Sequence, residues 1–225
     1  MIADPYAFLS PSLAAAEGDR TPLLRTPMER HHLAAGARME EREGWRIAEY
    51  PGNGGDPWAA DVSHTGKLDV RAAPERLDDL VGGALPVGRA RREDGVWTLR
   101  LSPTRAVVLC PFGRVDELRA RLGESAVDMT CGWAAVALGG GRSREVLNRS
   151  SALDVRSKSF PPGACTAGSV LRAPTILLHE DDGRFRLLVG WELGEYLWES
   201  LLDAGAPLSI ERVSAAVALP EEVPA

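Results

Sequence analysis

Asp61-Val-Ser-His-Thr-Gly-Lys-Leu-Asp-Val-Arg71 decides how the rest of the chain is read. Leu68, Asp69, Val70 and Arg71 alternate apolar and polar, the pattern of a half-buried strand. Pro74 stops that strand, and Glu75-Arg-Leu-Asp-Asp-Leu80 predicts a short helix with Leu77 and Leu80 on one face. About 67 residues later the plan returns: Asp128-Met-Thr-Cys-Gly-Trp-Ala-Ala-Val-Ala-Leu138, a glycine turn, then Ser143-Arg-Glu-Val-Leu147. Each copy is followed by a hairpin-like pair of strands and a closing helix. The expectation is an α+β chain made of a duplicated strand-helix-hairpin-helix unit, forming two intimately packed antiparallel-sheet lobes at about 21–123 and 124–213. Residues 1–20 read as a flexible arm and 214–225 as a tail.

The length of 225 residues is enough for one large core or two small packed lobes. Hydrophobic content of 44% beside 26% charged residues is ordinary for a soluble globular protein. The formal charge is -6, the pI is near 5.3, and the arginines are scattered among acids. That balance excludes a nucleic-acid surface, which needs a basic face. Cys110, Cys131 and Cys165 are odd in number and form no C-x-x-C pair, so neither a zinc site nor a disulfide framework is indicated. Reduced, mostly buried thiols in a cytoplasmic protein are expected. No apolar run approaches the ~20 residues of a bilayer span, and Asp4 and Pro5 stand where a signal peptide carries basic residues.

Thr26-Pro27 opens a predicted helix, with Thr26 at the N-cap, Pro27 in the first turn and Gly36 at the end. His31 and His32 within it point about 100° apart, which suits a solvated or hydrogen-bonded pair rather than a metal site. Gly44-Trp-Arg-Ile-Ala-Glu-Tyr50 reads as a strand, and Pro51–Pro57 as a loop. Val96–Leu101 and Ala106–Cys110 form a hairpin about Ser102-Pro-Thr-Arg105, followed by the amphipathic helix Val115–Leu122 closed by Gly123. In the second lobe Leu153–Ala173 reads as a long connection. Asp182-Gly183 turns Thr175–His179 back into Arg184–Val189, and Leu193, Leu197 and Leu201 mark a last helix with a core-facing stripe.

Candidate chemistry is sparse. Ser63 and His64, taken as neighbours on a strand, face opposite ways and make a poor nucleophile and base; no G-x-S-x-G surrounds them. Gly139-Gly-Gly-Arg-Ser143 lacks both the P-loop ending and the dinucleotide fingerprint, so it reads as a tight turn with Ser143 as N-cap. The acids Asp78-Asp79, Glu93-Asp94 and Glu180-Asp-Asp182 fall on helix faces or turns, where solvation is the default. No metal site is indicated.

The same residues resemble the aminomethyltransferase superfamily of the glycine-cleavage T-protein. Thr26-Pro-Met-Glu-Arg-His-His-Leu-Ala-Ala-Gly-Ala-Arg38 is similar to the family's T-P-L-x-x-x-H-x-x-x-G-A-x, Gly44-Trp45 to its G-W, and Asp61–Lys67 to its D-V-S-H-M-G-K. Phe185–Val189 and Tyr196-Leu-Trp-Glu-Ser-Leu-Leu-Asp-Ala-Gly205 fit the last strand and helix of its folate domain. The second half is more similar to one branch, the gamma subunit of heterotetrameric sarcosine oxidase, through Leu153–Cys165, Ala173–His179 and Glu195-Tyr-Leu-Trp198. The departures are specific. Arg91-Arg-Glu-Asp-Gly-Val-Trp97 replaces the family's G-G-x-x-D-D, leaving Asp94 near its acid; Leu178–Asp182 replaces G-Y-T-G-E; Thr65 stands for the folate-lining methionine. The sequence ends where the family's C-terminal β-barrel would begin.

The resemblance implies a non-catalytic subunit of a complex that oxidatively demethylates an N-methyl amino acid and passes the one-carbon unit to tetrahydrofolate. Flavin is expected only in partner subunits, with other subunits of an amine-oxidase complex as partners and no nucleic acid or membrane. No cofactor is expected to be held firmly by this chain. Two alternatives stay open: a free-standing tetrahydrofolate-dependent aminomethyl or methyl transferase, with Asp94 as acid and Thr65 and Asp181 lining the pocket, or a small-ligand-binding regulatory domain on the same fold.

Overall fold

The computed structural model describes residues 23–181 and 183–219. The arm at 1–20, Asp182 and the end of the tail from 220 onward lie outside the described residues. The chain enters through β1 (Leu24–Arg25), helix α1 (Glu29–Ala34), β2 (Arg38–Arg42) and β3 (Trp45–Glu49). These three strands make a small sheet with β3 at its centre. The helix starts later than Thr26-Pro27 implies, and Thr26 is not its N-cap. The Thr26 hydroxyl accepts a bond from Met28 N at 3.2 Å and donates to the Asp61 carboxylate, so a buried acid has taken the group that would have capped α1.

Next come β4 (Trp58–Asp61), β5 (Gly66–Arg71), α2 (Pro74–Leu80), β6 (Ala90–Glu93), β7 (Val96–Ser102), β8 (Arg105–Cys110), α3 (Val115–Leu122) and β9 (Ala126–Asp128). A five-stranded sheet orders them β6-β7-β8-β5-β9, with every neighbouring pair antiparallel. The expected half-buried strand at 68–71 is part of β5, but β5 is buried on both faces up to Arg71. Leu68 and Val70 meet α2 and α3. Asp69 is tolerated on the opposite face because Arg105 Nε lies 2.7 Å and Arg71 Nη2 3.2 Å from its carboxylate.

The rest runs β10 (Trp133–Gly139), α4 (Ser143–Ser150), β11 (Cys165–Val170), β12 (Ala173–His179), β13 (Phe185–Gly190), α5 (Gly194–Gly205), β14 (Glu211–Val213) and α6 (Ala215–Ala218). Its six-stranded sheet has the order β11-β12-β13-β10-β4-β14, antiparallel except where β14 runs parallel to β4. Each hairpin expected from sequence is in fact three strands. The additional members, β6 and β11, lie at sheet edges, and β11 sits inside the stretch read as a connection. Their residues, Ala-Arg-Arg-Glu and Cys-Thr-Ala-Gly-Ser-Val, lack the apolar alternation of inner strands, as suits an edge. Strands also cross the boundary between the expected lobes: β4 pairs with β10, and β9 pairs with β5.

The two large sheets lie face to face with helices outside. One core fills the gap between α4, α5 and the six-stranded sheet, through Val146, Leu147, Leu197, Trp198, Leu177 and Leu187. A second lies between the sheets, where Val107 and Leu109 meet Ile176, Leu178 and Leu188 and are joined by Trp45 of β3. The third joins α2 and α3 to the five-stranded sheet. Alternate residues of one strand thus serve two cores: Leu177 faces the helices while Ile176 and Leu178 face the opposite sheet. Burying each such aliphatic side chain stabilises the fold by about 1.5–3 kcal/mol.

Ser143 is the first residue of α4 rather than its N-cap, which is Arg142. Its hydroxyl donates to the Gly183 carbonyl and ties the glycine turn to the β12–β13 hairpin.

Candidate functional site

The Asp61–Lys67 segment crosses from one large sheet to the other, and its residues converge on the centre of the molecule. Ser63 and His64 lie in a turn between β4 and β5, not on a strand. Asp61 closes β4 with its carboxylate buried. Thr26 Oγ1 donates to it, His32 Nε2 lies 2.9 Å away, and Ser63 N donates at 2.9 Å. Burial acts to raise the Asp61 pKa, and the hydrogen bonds from His32, Thr26 and Ser63 outweigh it, so the carboxyl is held below its ordinary value. On the other ring nitrogen, His32 Nδ1 meets Tyr50 Oη at 2.8 Å. Burial lifts the Tyr50 phenol to about 12, so it stays protonated. The His32 ring packs edge-on against Trp198 at 4.9 Å. His32 is therefore a fully buried, hydrogen-bonded residue, whereas His31 stays at the α1–α5 surface near Glu195 and Glu199.

Beyond Asp61 the segment is closed by its own backbone. Ser63 Oγ accepts from Ala135 N at 3.1 Å and so fixes the turn to β10. Thr65 Oγ1 donates to Val62 O at 2.9 Å. A Cβ on Gly66 would lie 2.6 Å from Cys110 Sγ and nearer still to Val115 Cγ2, so only glycine fits there. Lys67 is fully buried and donates from Nζ to Ser63 O at 2.8 Å and Thr65 O at 2.6 Å. Desolvation brings its amine down to about 7. Desolvation likewise lowers His64 to about 4; Asp61 opposes the shift, and Lys67, Arg186 and Arg42 add to it.

The three positions named from resemblance are placed apart. Thr65 is buried and its hydroxyl is bonded within the turn. Asp94 stands at the β6–β7 turn with φ 49°, its carbonyl accepting from Arg114 Nη1 at 2.8 Å. Asp181 follows β12 and pairs with Arg184, 2.7 Å away. They make no hydrogen bond or ion pair with one another, and the cavity that Asp94 lines includes neither Thr65 nor Asp181.

Other acids read as solvated are not. Glu180 is buried 2.7 Å from Arg186, and Asp78 lies 2.7 Å from the buried Arg100. A second polar cluster joins Arg144 Nη2 to His179 Nε2 at 3.3 Å, with His179 Nδ1 donating to Phe160 O at 3.0 Å. The sequence reading of a solvated or hydrogen-bonded pair holds for His32 in its second form, but the burial of His32 and His179 was missed. For His32 the signal was available: it lies one turn from Met28, and both are fully buried. No group of three or more His, Cys, Asp or Glu placed to hold a metal occurs among the described residues. None of the described helices is long and apolar enough to cross a membrane.

Two antiparallel sheets packed between helix pairs, joined by a buried aspartate-histidine turn, define an aminomethyltransferase-like fold. The structure of the glycine cleavage system aminomethyltransferase T from Bartonella henselae superimposes with a TM-score of 0.69 at 18% identity, covering 87% of this chain and 60% of that one. A chain of heterotetrameric sarcosine oxidase from Corynebacterium sp. gives 0.64 at 22% identity, covering 82% of this chain and 96% of that one. Among curated proteins, aminomethyltransferases of Symbiobacterium thermophilum and Deinococcus deserti are 29% and 25% identical over 81% and 82% of this chain. The chain spans only 59% and 60% of their lengths. The family model for the sarcosine oxidase gamma subunit family matches residues 81–207. The chain belongs to that family.

Proposed function

We propose that this chain is a non-catalytic subunit of a cytoplasmic complex that oxidatively demethylates an N-methyl amino acid and passes the one-carbon unit to tetrahydrofolate. Partner subunits carry the flavin, and this chain holds no cofactor firmly. The observation that carries the reading is that Asp61 and Lys67, the ionisable groups buried in the family-like segment, are both bonded to this chain's own atoms. Such groups hold sheets together and are not presented to a substrate. The separation of Thr65, Asp94 and Asp181 supports the same reading. We also read the fold as a duplication, with lobes at about 21–123 and 124–213. The order strand, helix, three strands, helix in β5–α2–β6–β7–β8–α3 recurs in β10–α4–β11–β12–β13–α5.

The test is thermal unfolding of the isolated chain with and without saturating tetrahydrofolate, beside affinity capture of co-expressed flavoprotein subunits. The subunit reading expects no shift and stoichiometric capture. A ligand at ~100 times its dissociation constant adds about 2.7 kcal/mol, an upward shift of roughly 5–10 °C at this size. A shift of that size that Asp94→Ala abolishes, with no partner captured, would replace this reading by the free-standing transferase.

A further inference from the structure

On the outer face of the five-stranded sheet, α2, α3 and the β6–β7 turn enclose a cavity of about 250 Å³. Its floor is apolar, made by Val96, Val108 and Leu118. Its rim carries three guanidinium groups, Arg91, Arg114 and Arg121, and three carboxylates, Asp79, Glu93 and Asp94.

Half of this rim is already committed. Arg91 donates to Val81 O at 2.6 Å and pairs with Glu93 at 3.0 Å. Arg114 bonds the Asp94 carbonyl and Glu117. The Arg121 guanidinium acts on Glu117 through its charge alone, and among the described residues neither it nor the carboxylates of Asp79 and Asp94 form a hydrogen bond or ion pair. Asp79 also sits in the last turn of α2, where the helix end favours positive charge.

The uncommitted groups are one guanidinium and two carboxylates, so a simple anion or a simple cation leaves one kind of them unmatched. A ligand carrying both charges matches both. The volume lies below the roughly 300–1,000 Å³ of drug-sized pockets, which limits the ligand to a few heavy atoms. We propose that this cavity binds a small zwitterionic amino acid. Its carboxylate lies against Arg121, its ammonium against Asp79 and Asp94, and its aliphatic part on the Val96–Val108–Leu118 floor. The site is independent of the subunit assignment.

Isothermal titration of the full chain with N-methylglycine tests it, with acetate and methylamine as half-ligands. N-methylglycine should bind at least about tenfold more tightly than either half, since each lacks one charge-assisted contact. Arg121→Ala and Asp79→Ala, both at exposed positions, should keep the wild-type melting temperature and each weaken binding about tenfold. Val96→Thr, which alters the floor but no charge, should weaken N-methylglycine without changing the order of the three ligands. Absence of N-methylglycine binding, affinity no greater than that of acetate or methylamine, or unchanged affinity in both charge variants would overturn the proposal.

Discussion

His32 Nε2 and Asp61 Oδ2 stand 2.9 Å apart across 29 positions of sequence, with His32 wholly buried. The pair fastens α1 to the end of β4. With Tyr50 on the far nitrogen, the order of donors resembles that of a catalytic triad. The group in the nucleophile's place is the Tyr50 phenol, which burial pushes up to about 12, so it is not activated for attack. Asp61→Ala removes the acceptor for three buried donors at once and should cost about 3–5 kcal/mol, as broken buried pairs do. Urea unfolding would show a lower midpoint at unchanged slope. A loss under about 0.5 kcal/mol, the range of ordinary surface changes, would deny the pair its anchoring role.

Gly66 offers a steric test of the same segment. A methyl there collides with Cys110 Sγ and Val115 Cγ2, joining β5 to β8 and the start of α3. Gly66→Ala should destabilise by about 1–3 kcal/mol through overpacking. Adding Val115→Ala frees part of the space, so the double variant should be more stable than the sum of the two losses implies. Strict additivity would mean that the two groups do not meet.

Stability should also climb with pH in two separate windows. His64 has an ordinary value of 6.5 and a folded one of about 4, so its contribution is complete above 6.5 and is lost as pH falls through 4. Lys67 falls from 10.5 to about 7; its contribution is complete above 10.5 and is lost as pH falls through 7. Denaturant midpoints taken from pH 4 to 10 would reveal both rises. His64→Gln should flatten the lower rise alone and Lys67→Met the upper one alone. A wild-type profile flat between pH 7 and 10 would refute the buried, neutral amine.

Much of the architecture was legible because inner strands and amphipathic helices advertise themselves. Val107 and Leu109 alternate with Ala106 and Val108 to serve two cores, and Leu118 and Leu122 recur at helical spacing. The edge strands β6 and β11 were hidden because their side chains are small or polar and half solvated. Caps failed where a hydroxyl had a distant partner: Thr26 serves Asp61, and Ser143 serves Gly183. Those partners lie 35 and 40 positions away, beyond any local pattern. The polar centre was half visible. The Asp61–Lys67 string stood out as a motif, but the burial of Lys67 depends on both sheets closing over it. That Thr65, Asp94 and Asp181 lie apart is likewise a property of the assembled sheets.

His179 provides the last test, because one side chain there holds a long loop. Its ring stacks between Phe160 and Phe185, with centroids at 6.3 and 4.5 Å. Nδ1–H donates to Phe160 O, which leaves Nε2 as the acceptor for Arg144. Arg144 in turn donates to Val155 O and lies 5.1 Å over the Phe185 ring, so 155–160 is gripped at one end from α4 and at the other from β12. His179→Phe keeps the stacking but leaves the Phe160 carbonyl only the 3.4 Å bond from Arg144 Nη1 and strands one arginine donor, at about 1–3 kcal/mol. The local turn that Ser159 N and Phe160 N make to Arg156 O should then open more often. Hydrogen exchange at those two amides should speed up at least about tenfold, the factor that 1.4 kcal/mol of local stability represents, while core amides of β10 stay protected. Equal acceleration everywhere would mean that His179 supports the whole fold and not this loop.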